Sequence, residues 1–303
     1  TCSFSNYTNP NRVFVGQIPM SENIDGNEIR YLFYISDSNL SSAWGRIAGD
    51  GYKTSWTEGD SYFSYNVWSA SNTPSGNWSS ASTWKSGIVP NSSNSLVLIT
   101  ASNSITLDQH ATLSQLLIRG TFTASDATAR TLTITKSASG TSTTLTNNGI
   151  WSNGTGGSTV VFTGAPSSGD AIHAITGTIP FQKVIVNKTG GSSNVGAGFA
   201  ANCSVSQSLE IGNGGFVSTD PPASFYGENA VLKFNQGTGA NYDINPGDKT
   251  WSTTVIPNSI TINSGTVTVN ENRTASGTII IDNDATLTIN ATKKLTVATL
   301  TNN

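Results

Sequence analysis

Residues 260–289 read ITINSGTVTVNENRTASGTIIIDNDATLTI, and this stretch decides the fold. Its apolar residues come in pairs that return every nineteen or twenty positions, namely Ile260 and Ile262, Val267 and Val269, Ile279 and Ile281, and Leu287 and Ile289. Within each pair the apolar residues alternate with Thr or another apolar residue, which is typical of a β-strand with one face buried. A strand pattern that returns at a nearly fixed interval indicates stacked turns that share one core. We therefore predict an all-β chain that forms a solenoid, a right-handed parallel β-helix.

The same interval appears once more near the start of the repetitive region. The apolar stretch from Leu96 to Ile99 is followed about twenty residues later by the stretch from Leu116 to Gly120. Between residues 120 and 260 short apolar strands continue, but glycine-rich and serine-rich segments of variable length separate them. Such segments are expected to project as loops, and loops on a rigid scaffold commonly carry binding residues.

The composition suits a long β-structure with a polar, weakly charged surface. Charged residues make up 11% of the chain, against roughly 25% in average globular domains. Ser, Thr and Asn replace them, with 42, 41 and 31 copies. Thr is β-branched and fits an exposed pleated face, whereas Asn and Gly fit tight turns that need positive φ.

The charge pattern excludes some partners and suggests a location. The net charge is −3, and Lys293-Lys294 is the only adjacent basic pair, so we predict no nucleic-acid partner. No run approaches eighteen consecutive apolar residues, so we predict no membrane span. A chain that starts Thr1-Cys2 with this surface chemistry is interpreted as a mature, secreted, extracellular product.

The N-terminal region differs from the rest of the chain. Fifteen of the 26 aromatic residues fall within the first 84 positions. We predict two parts: residues 1–75, an aromatic-rich β cap or small β domain, and residues 76–303, the parallel β-helix. Large rings would close the end of a hydrophobic column. The alternative is a carbohydrate-binding module in which Trp44, Trp56 and Tyr65 stack on sugar rings.

The two cysteines, Cys2 and Cys203, are 201 residues apart and form the disulfide candidate. A bond between them would tie the N-terminus to the middle of the solenoid and restrict a very long loop of the unfolded chain. The alternative is a pair of free thiols, with Cys203 buried. Sequence alone does not set the geometry that a disulfide needs.

The titratable residues form no recognisable catalytic or metal motif, so we predict no catalytic residue, no metal and no cofactor. Asp108 with His110 and Asp170 with His173 lack a third ligand at zinc-binding spacing. Two acidic pairs, Asp243 with Asp248 and Asp282 with Asp284, are explained as turn residues. Stacking of turns can still bring distant carboxylates together. A polysaccharide hydrolase on this scaffold would need two or three of them lining one groove.

The last predicted strands end in Leu295, Val297 and Leu300. A bare final turn of a β-helix exposes apolar side chains and unpaired backbone groups. We therefore regard these three residues as candidates for end-to-end assembly, with the alternative that the chain is a fragment of a longer protein.

A resemblance to a known group rests on residues 76–99. This segment contains Gly76-x-Trp78, Thr83-Trp84 and Gly87-x-Val89-Pro90, followed by the apolar strand Leu96–Ile99. It resembles the opening of long secreted bacterial cell-surface proteins with pectate-lyase-like parallel β-helices. The resemblance implies a place on a bacterial cell surface. The weakly charged Ser, Thr and Asn surface suits a non-catalytic structural or adhesive element there, with glycans or copies of itself as partners. The alternative is a polysaccharide lyase or glycoside hydrolase, or the carbohydrate-binding region of one.

Overall fold

A computed structural model describes the backbone of residues 28–31, 34–36, 44–46 and 63–66, and both backbone and side chains of residues 69–303. The chain divides into two compact units, residues 1–68 and 69–303. The division falls a few residues before the predicted boundary at residue 75. The reason is that Ser69 and Ser75 begin strands that pair with strands of the second unit.

The described part of the first unit consists of antiparallel strand pairs. Strand β1 (Glu28–Tyr31) pairs with β4 (Phe63–Asn66), and β2 (Tyr34–Ser36) pairs with β3 (Trp44–Arg46). The described aromatic residues of this unit, Tyr31, Tyr34, Trp44, Phe63 and Tyr65, therefore lie on strands. Whether they close the end of the solenoid stays a prediction.

The second unit is a parallel β-helix, as predicted. One side is a seven-stranded parallel sheet, here called sheet A, built from β5 (Ser69–Ala70), β7 (Leu96–Ile99), β10 (Gln115–Ile118), β13 (Gly140–Asn147), β16 (Ala171–Gly177), β18 (Val195–Phe199) and β20 (Gly215–Val217). A four-stranded parallel sheet, sheet B, holds β6 (Ser75–Asn77), β8 (Ser104–Thr106), β11 (Thr121–Thr123) and β14 (Ile150–Ser152). A short 3₁₀ helix, Ala81–Thr83, follows β6.

The longest sheet, sheet C, runs along the whole solenoid. It contains β9 (Ala111–Leu113), β12 (Arg130–Thr135), β15 (Ser158–Thr163), β17 (Ile179–Val186), β19 (Cys203–Gly212), β21 (Val231–Asn235), β23 (Ser259–Val269), β25 (Thr278–Ile281) and β28 (Thr299–Asn302). The second half of β23 also pairs with β22 (Asn241–Ile244) and β26 (Ala285–Ile289). The remaining pair is β24 (Arg273–Thr274) with β27 (Leu295–Thr296).

The register between turns confirms the periodicity of the sequence. Ile260 pairs with Ile279, and Val267 pairs with Leu287. Near the start of the solenoid Val97 pairs with Leu116, again nineteen residues along. Each of these pairs stacks like side chains on one inward face, which is how a solenoid builds a continuous core.

A column of aromatic rings runs through the core between Trp78 and Phe199. Trp78, Phe122 and Trp151 follow one another with ring centroids 6.0 and 5.0 Å apart. The column continues from Trp151 to Phe181 at 5.6 Å and then to Phe199 at 6.2 Å, and all these contacts are edge-to-face. Edge-to-face packing is the favourable arrangement for stacked rings, so the column stabilises the middle turns beyond simple burial.

Candidate functional site: an acidic cleft beside Phe216

The strongest candidate site lies where sheet A ends. Strand β20 is its last strand, because β21 belongs to sheet C and the strand after it, β22, pairs with β23. A cavity of about 410 Å³ opens at this break. It is lined by Asp170, Asn194, Asn213, Gly214, Gly215, Phe216, Gln236, Asn241, Tyr242, Asp243 and Asp248.

Three stacked turns supply one wall of this acidic cleft. Asp170, Asn194 and Asn213 each stand just before a strand of sheet A, namely β16, β18 and β20. The turns are linked side by side, because the Asp170 carboxylate accepts a hydrogen bond of 2.9 Å from the Asn194 backbone N–H. Parallel stacking places the starts of successive strands at one edge, so polar residues far apart in the sequence share this wall.

Phe216 provides an aromatic surface in the cleft. Its strand neighbours Gly215 and Val217 are buried, whereas Phe216 is half-buried and lies on the outer face of sheet A. It pairs with Gly196 of the preceding turn, and a Cβ added at Gly196 would lie 2.7 Å from Phe216 Cζ. One face of the Phe216 ring therefore lies over Gly196, where any larger residue would project a side chain. The other face of the ring lines the cleft.

The opposite wall comes from β22 and the turn after it. Asn241 and Asp243 face outward, and the Asn241 side-chain amide donates to Asp243 Oδ1 at 2.8 Å. Tyr242 faces inward and is nearly buried. Gln236 lies at the floor, where its side-chain amide donates to the carbonyl oxygens of Ile211 and Gly212 at 2.8 and 3.1 Å.

Asp248 is the most enclosed carboxylate of the cleft. Its Oδ1 accepts from the Trp251 backbone N–H at 3.0 Å, and its Oδ2 accepts from the Tyr242 hydroxyl at 3.0 Å. Burial raises the pKa of Asp248, although these hydrogen bonds act in the opposite direction. Burial also raises the pKa of Tyr242 well above its ordinary value, and the Asp248 charge adds to that effect. The phenol therefore stays protonated and donates.

A hydrogen-bond chain connects Asp248 to the edge of sheet A. The hydroxyls of Tyr242 and Thr250 are 2.6 Å apart, and Thr250 Oγ1 accepts from the Val217 backbone N–H at 2.9 Å. Because Tyr242 donates to Asp248, the Thr250 hydroxyl donates to Tyr242. This chain fixes the turn that carries Asp248 against the strand that carries Phe216.

The chemistry of the cleft is acidic and rich in amides. Asp170, Asp243 and Asp248 are its charged residues, and the described lining includes no Lys or Arg. Asp and Asn side chains can each make several hydrogen bonds to hydroxyl or ammonium groups. A half-buried ring among convergent polar groups is a usual arrangement for binding a small polar ligand.

The histidine pairs noted in the sequence do not come together as ligands. His173 is fully buried, with Nδ1 3.0 Å from Thr144 Oγ1 and Nε2 3.1 Å from the Thr163 carbonyl oxygen. Burial lowers the pKa of His173 to about 4, so the ring is neutral at pH 7. Its partner in sequence, Asp170, lies instead at the cleft.

The other pair, Asp108 and His110, stabilises turns. Asp108 accepts hydrogen bonds of 2.9 and 2.5 Å from the backbone and hydroxyl of Ser79. His110 Nδ1 accepts from the Thr131 backbone N–H at 3.0 Å. In the described part of the chain, no three His, Cys, Asp or Glu residues are placed to share a metal ion.

The acidic pair near the C-terminus also belongs to a turn. Asp282 accepts hydrogen bonds from the side-chain amides of Asn263 at 3.0 Å and Asn303 at 3.2 Å. The Asp282 carbonyl accepts from the Ala285 backbone N–H at 2.9 Å, which closes the turn that contains Asp284.

Several predicted site residues lie wholly or partly outside the described residues. Trp44 is in β3 and Tyr65 is in β4, but their side chains are outside the described part, as are Trp56 and Cys2. Cys203 is buried and has no disulfide partner among the described residues, and burial raises the pKa of its thiol to about 11. Sugar binding by the three aromatics and the pairing of Cys2 with Cys203 stay predictions.

The candidate assembly residues lie on the last turn of the stack. Leu295 and Val297 are partly buried against the core, whereas Leu300 is 54% exposed. Ile289 on the neighbouring strand is 43% exposed. The last turn therefore presents apolar surface, but the identity of any partner stays a prediction.

Sequence reasoning did not identify the central members of the cleft, namely Phe216, Asn194 and Asn213. The signal that was present is positional, because Asp170, Asn194 and Asn213 all precede short strands by one or two residues. Such polar residues at strand starts meet when the strands stack in parallel.

Among residues that the structure describes, no helix has the length and apolar character needed to cross a membrane. Comparison with protein families, with curated proteins and with solved structures finds no match to this chain.

Proposed function

We propose that this protein is a non-catalytic, extracellular, glycan-binding β-helix that serves as an adhesive element of a bacterial cell surface. The observation that carries the proposal is the outward ring of Phe216, framed by Asp and Asn side chains at the break in sheet A. The apolar face of a sugar ring would pack on Phe216, while the Asp243 carboxylate would accept hydrogen bonds from its hydroxyls and the Asn213 amide would both donate and accept. The weakly charged Ser, Thr and Asn surface supports an extracellular location.

The charge of the cleft narrows the class of glycan. Three carboxylates without a lining cation would repel uronates and sulfated sugars. The same carboxylates favour neutral sugars and amino sugars, whose hydroxyl and ammonium groups are donors. We therefore assign neutral or amino-sugar chains as ligands and exclude acidic polysaccharides.

The test is binding of the purified chain to an array of neutral, amino and acidic oligosaccharides. Selective binding to neutral or amino sugars is expected, and Phe216→Ala should weaken it by about tenfold or more, as for other central aromatic contacts. The matched control is Ile150→Ala, which removes another exposed apolar side chain far from the cleft and should leave binding unchanged. Preference for uronates, or equal binding by Phe216→Ala, would contradict the proposal.

One observation favours a second function, glycoside hydrolysis. Three carboxylates line one cleft, and Asp248 has the raised pKa that a general acid needs. In that case Asp248 would protonate the leaving oxygen, and Asp243 or Asp170 would act as base or nucleophile. Release of reducing ends from a bound oligosaccharide, abolished in Asp248→Asn, would establish this activity. Binding without product release over days would support the adhesive function.

End-to-end assembly is a further part of the functional prediction. The exposed Leu300 and Ile289 support it. Electron microscopy across a concentration series tests it directly. Fibres one solenoid wide that disappear in Leu300→Asp are expected, and monodisperse short rods at all concentrations would contradict it.

A further inference from the structure

A second cavity lies on the same unit but on earlier turns. It measures about 430 Å³ and opens between the turns that precede β7 and β10, the end of β12 and the middle of β13. Its lining is mostly hydroxyl and amide side chains, including Ser93, Asn94, Ser114 and Gln115, and its one charged residue is Lys136. This size is within the usual range for ligand sites. Its chemistry differs from that of the acidic cleft.

One wall of this cavity is a strand edge without a neighbour. The first half of β13, Gly140–Thr143, pairs with Ala171–Ala174 of β16 on one side. On the other side β10 pairs with β13 only from Leu145 onward. Within the described chain, no strand occupies the position beside Gly140–Thr143, and these four residues are exposed.

The direction of the backbone groups follows from the pairing. The Gly140 N–H donates to the Asp170 carbonyl at 2.8 Å, toward β16. In a parallel strand, alternate residues point their N–H and C=O groups to opposite sides. Thr141 and Thr143 therefore direct theirs to the side that β16 does not occupy. Unpaired edge groups of this kind readily accept an added strand.

Lys136 adds an unneutralised positive charge at the same cavity. Its side chain is 9% exposed, and Nζ donates to the carbonyl oxygens of Ala138 and Ser139. No carboxylate among the described residues lies within ion-pair distance of it. A partly buried ammonium without a counter-ion favours an anionic partner group.

We propose that this cavity binds an extended peptide segment that carries an acidic residue. The peptide adds as a strand along Gly140–Thr143, and its carboxylate pairs with Lys136. The cavity is separate from the acidic cleft, so this site goes beyond glycan binding and does not depend on it.

The experiment is an NMR titration of the whole chain with the capped peptide acetyl-Thr-Val-Asp-Val-Thr-amide. Saturable shifts at Gly140–Thr143 are expected. Replacing the peptide Asp with Asn should weaken binding by about tenfold, because a charge-assisted hydrogen bond is lost. Methylating alternate peptide amides should remove binding, because the added strand then cannot donate. Absence of shifts, or equal binding of either altered peptide, would overturn the proposal.

Two variants of the protein complete the test. Thr143→Asp places a negative charge in the cavity, which repels the carboxylate of the acidic peptide, and should weaken its binding by about tenfold. Its matched control is Thr261→Asp on the outer face of sheet C, which should bind like the parent. Lys136→Met should also lose binding of the peptide. If Lys136→Met does not fold, Thr143→Asp still tests the proposal, because it leaves the hydrogen bonds of Lys136 intact. Unchanged binding by Thr143→Asp, or shifts at the same residues with methyl glucuronide and none with the peptide, would refute peptide binding.

Discussion

The C-terminal turns and the middle turns of this β-helix build the same core with different amounts of chain. From Ile260 to Ile279 and on to Leu300, one turn takes nineteen and then twenty-one residues. From Leu116 to Leu145 and on to Ile175, one turn takes twenty-nine and then thirty. Stacked strands need only the shorter length, so the extra residues of the longer turns are free to form loops.

Those extra residues are where the two cavities occur. The Lys136 cavity uses the loop between Thr135 and Gly140, within a long turn. The acidic cleft uses the segment from Gln236 to Asp248, within the 28-residue turn that joins Leu232 to Ile260. The short C-terminal turns therefore support the fold alone, whereas each cavity also needs a loop from a longer turn.

The largest effect is expected from a charge placed in the short turns. Ile281 points into the core and is 9% exposed, so Ile281→Asp would bury an unpaired carboxylate. We expect a loss of about 3–5 kcal/mol in the free energy of unfolding of the C-terminal turns. Thermal and urea denaturation measure it. Ile280→Asp is the matched control, because the Ile280 side chain faces outward. Equal melting temperatures of the two variants would mean that Ile281 does not lie in the core.

A pH effect of the next size is expected from the long turns. His173 has a folded pKa of about 4, below its ordinary value of 6.5. Between these values the unfolded state binds the proton more readily, so stability is complete above pH 6.5 and falls as the pH drops toward 4. The expected loss is about 3 kcal/mol.

Urea unfolding at pH 7 and pH 4.5 measures this loss. Carboxylates also titrate in the range, so the informative quantity is the difference between the parent and His173→Gln. A steeper pH dependence in the parent is expected. Parallel curves for the two proteins would mean that His173 is not held neutral in the core.

A smaller effect is expected where Gly196 supports the Phe216 ring. Gly196→Ala places a Cβ 2.7 Å from Phe216 Cζ, so the ring must move. We expect weaker glycan binding than in the parent, with a smaller loss than for Phe216→Ala, and shifted NMR signals of the Phe216 ring. Gly190→Ala controls for the general effect of replacing a glycine, because its added Cβ would make only an ordinary contact, 3.5 Å from the Ala165 Cβ. Unmoved ring signals in Gly196→Ala would mean that the ring does not rest on Gly196.

The smallest effect is expected at Asp248. Because burial raises its pKa in the folded state, the unfolded state ionises first as the pH rises. The contribution of Asp248 to the free energy of unfolding is therefore largest below the ordinary carboxyl pKa. It declines as the pH rises through the raised pKa of the folded state. Asp248→Asn should flatten this decline between pH 4 and pH 7 in urea denaturation. An unchanged dependence of stability on pH in Asp248→Asn would mean that Asp248 is exposed to solvent in the folded protein.

The sequence predicts the short turns in detail because their length is nearly constant. Counting nineteen residues from Ile260 reaches Ile279, and the structure pairs these two residues. The same counting fails in the middle, where the pairing of Ile175 with Phe199 takes twenty-four residues and that of Leu145 with Ile175 takes thirty. Variable loop lengths hide which strands are neighbours.

The acidic cleft was unpredictable for the same reason. Asp243 and Asp248 are recognisable as turn residues, but their approach to Asp170 depends on the stacking of the intervening turns. The outward ring of Phe216 depends on Gly196, its partner twenty residues earlier. The alternation of apolar and polar residues along a strand predicts which face of the strand is buried, but it predicts neither of these two relations.

Hydrogen–deuterium exchange with and without a bound neutral oligosaccharide shows directly which turns bind the sugar. If the acidic cleft carries binding and the C-terminal turns carry only the fold, the sugar should slow exchange in residues 194–216 and 236–248. Exchange in residues 260–303 should be unchanged. Protection confined to the C-terminal turns, or none at saturating sugar, would contradict the account.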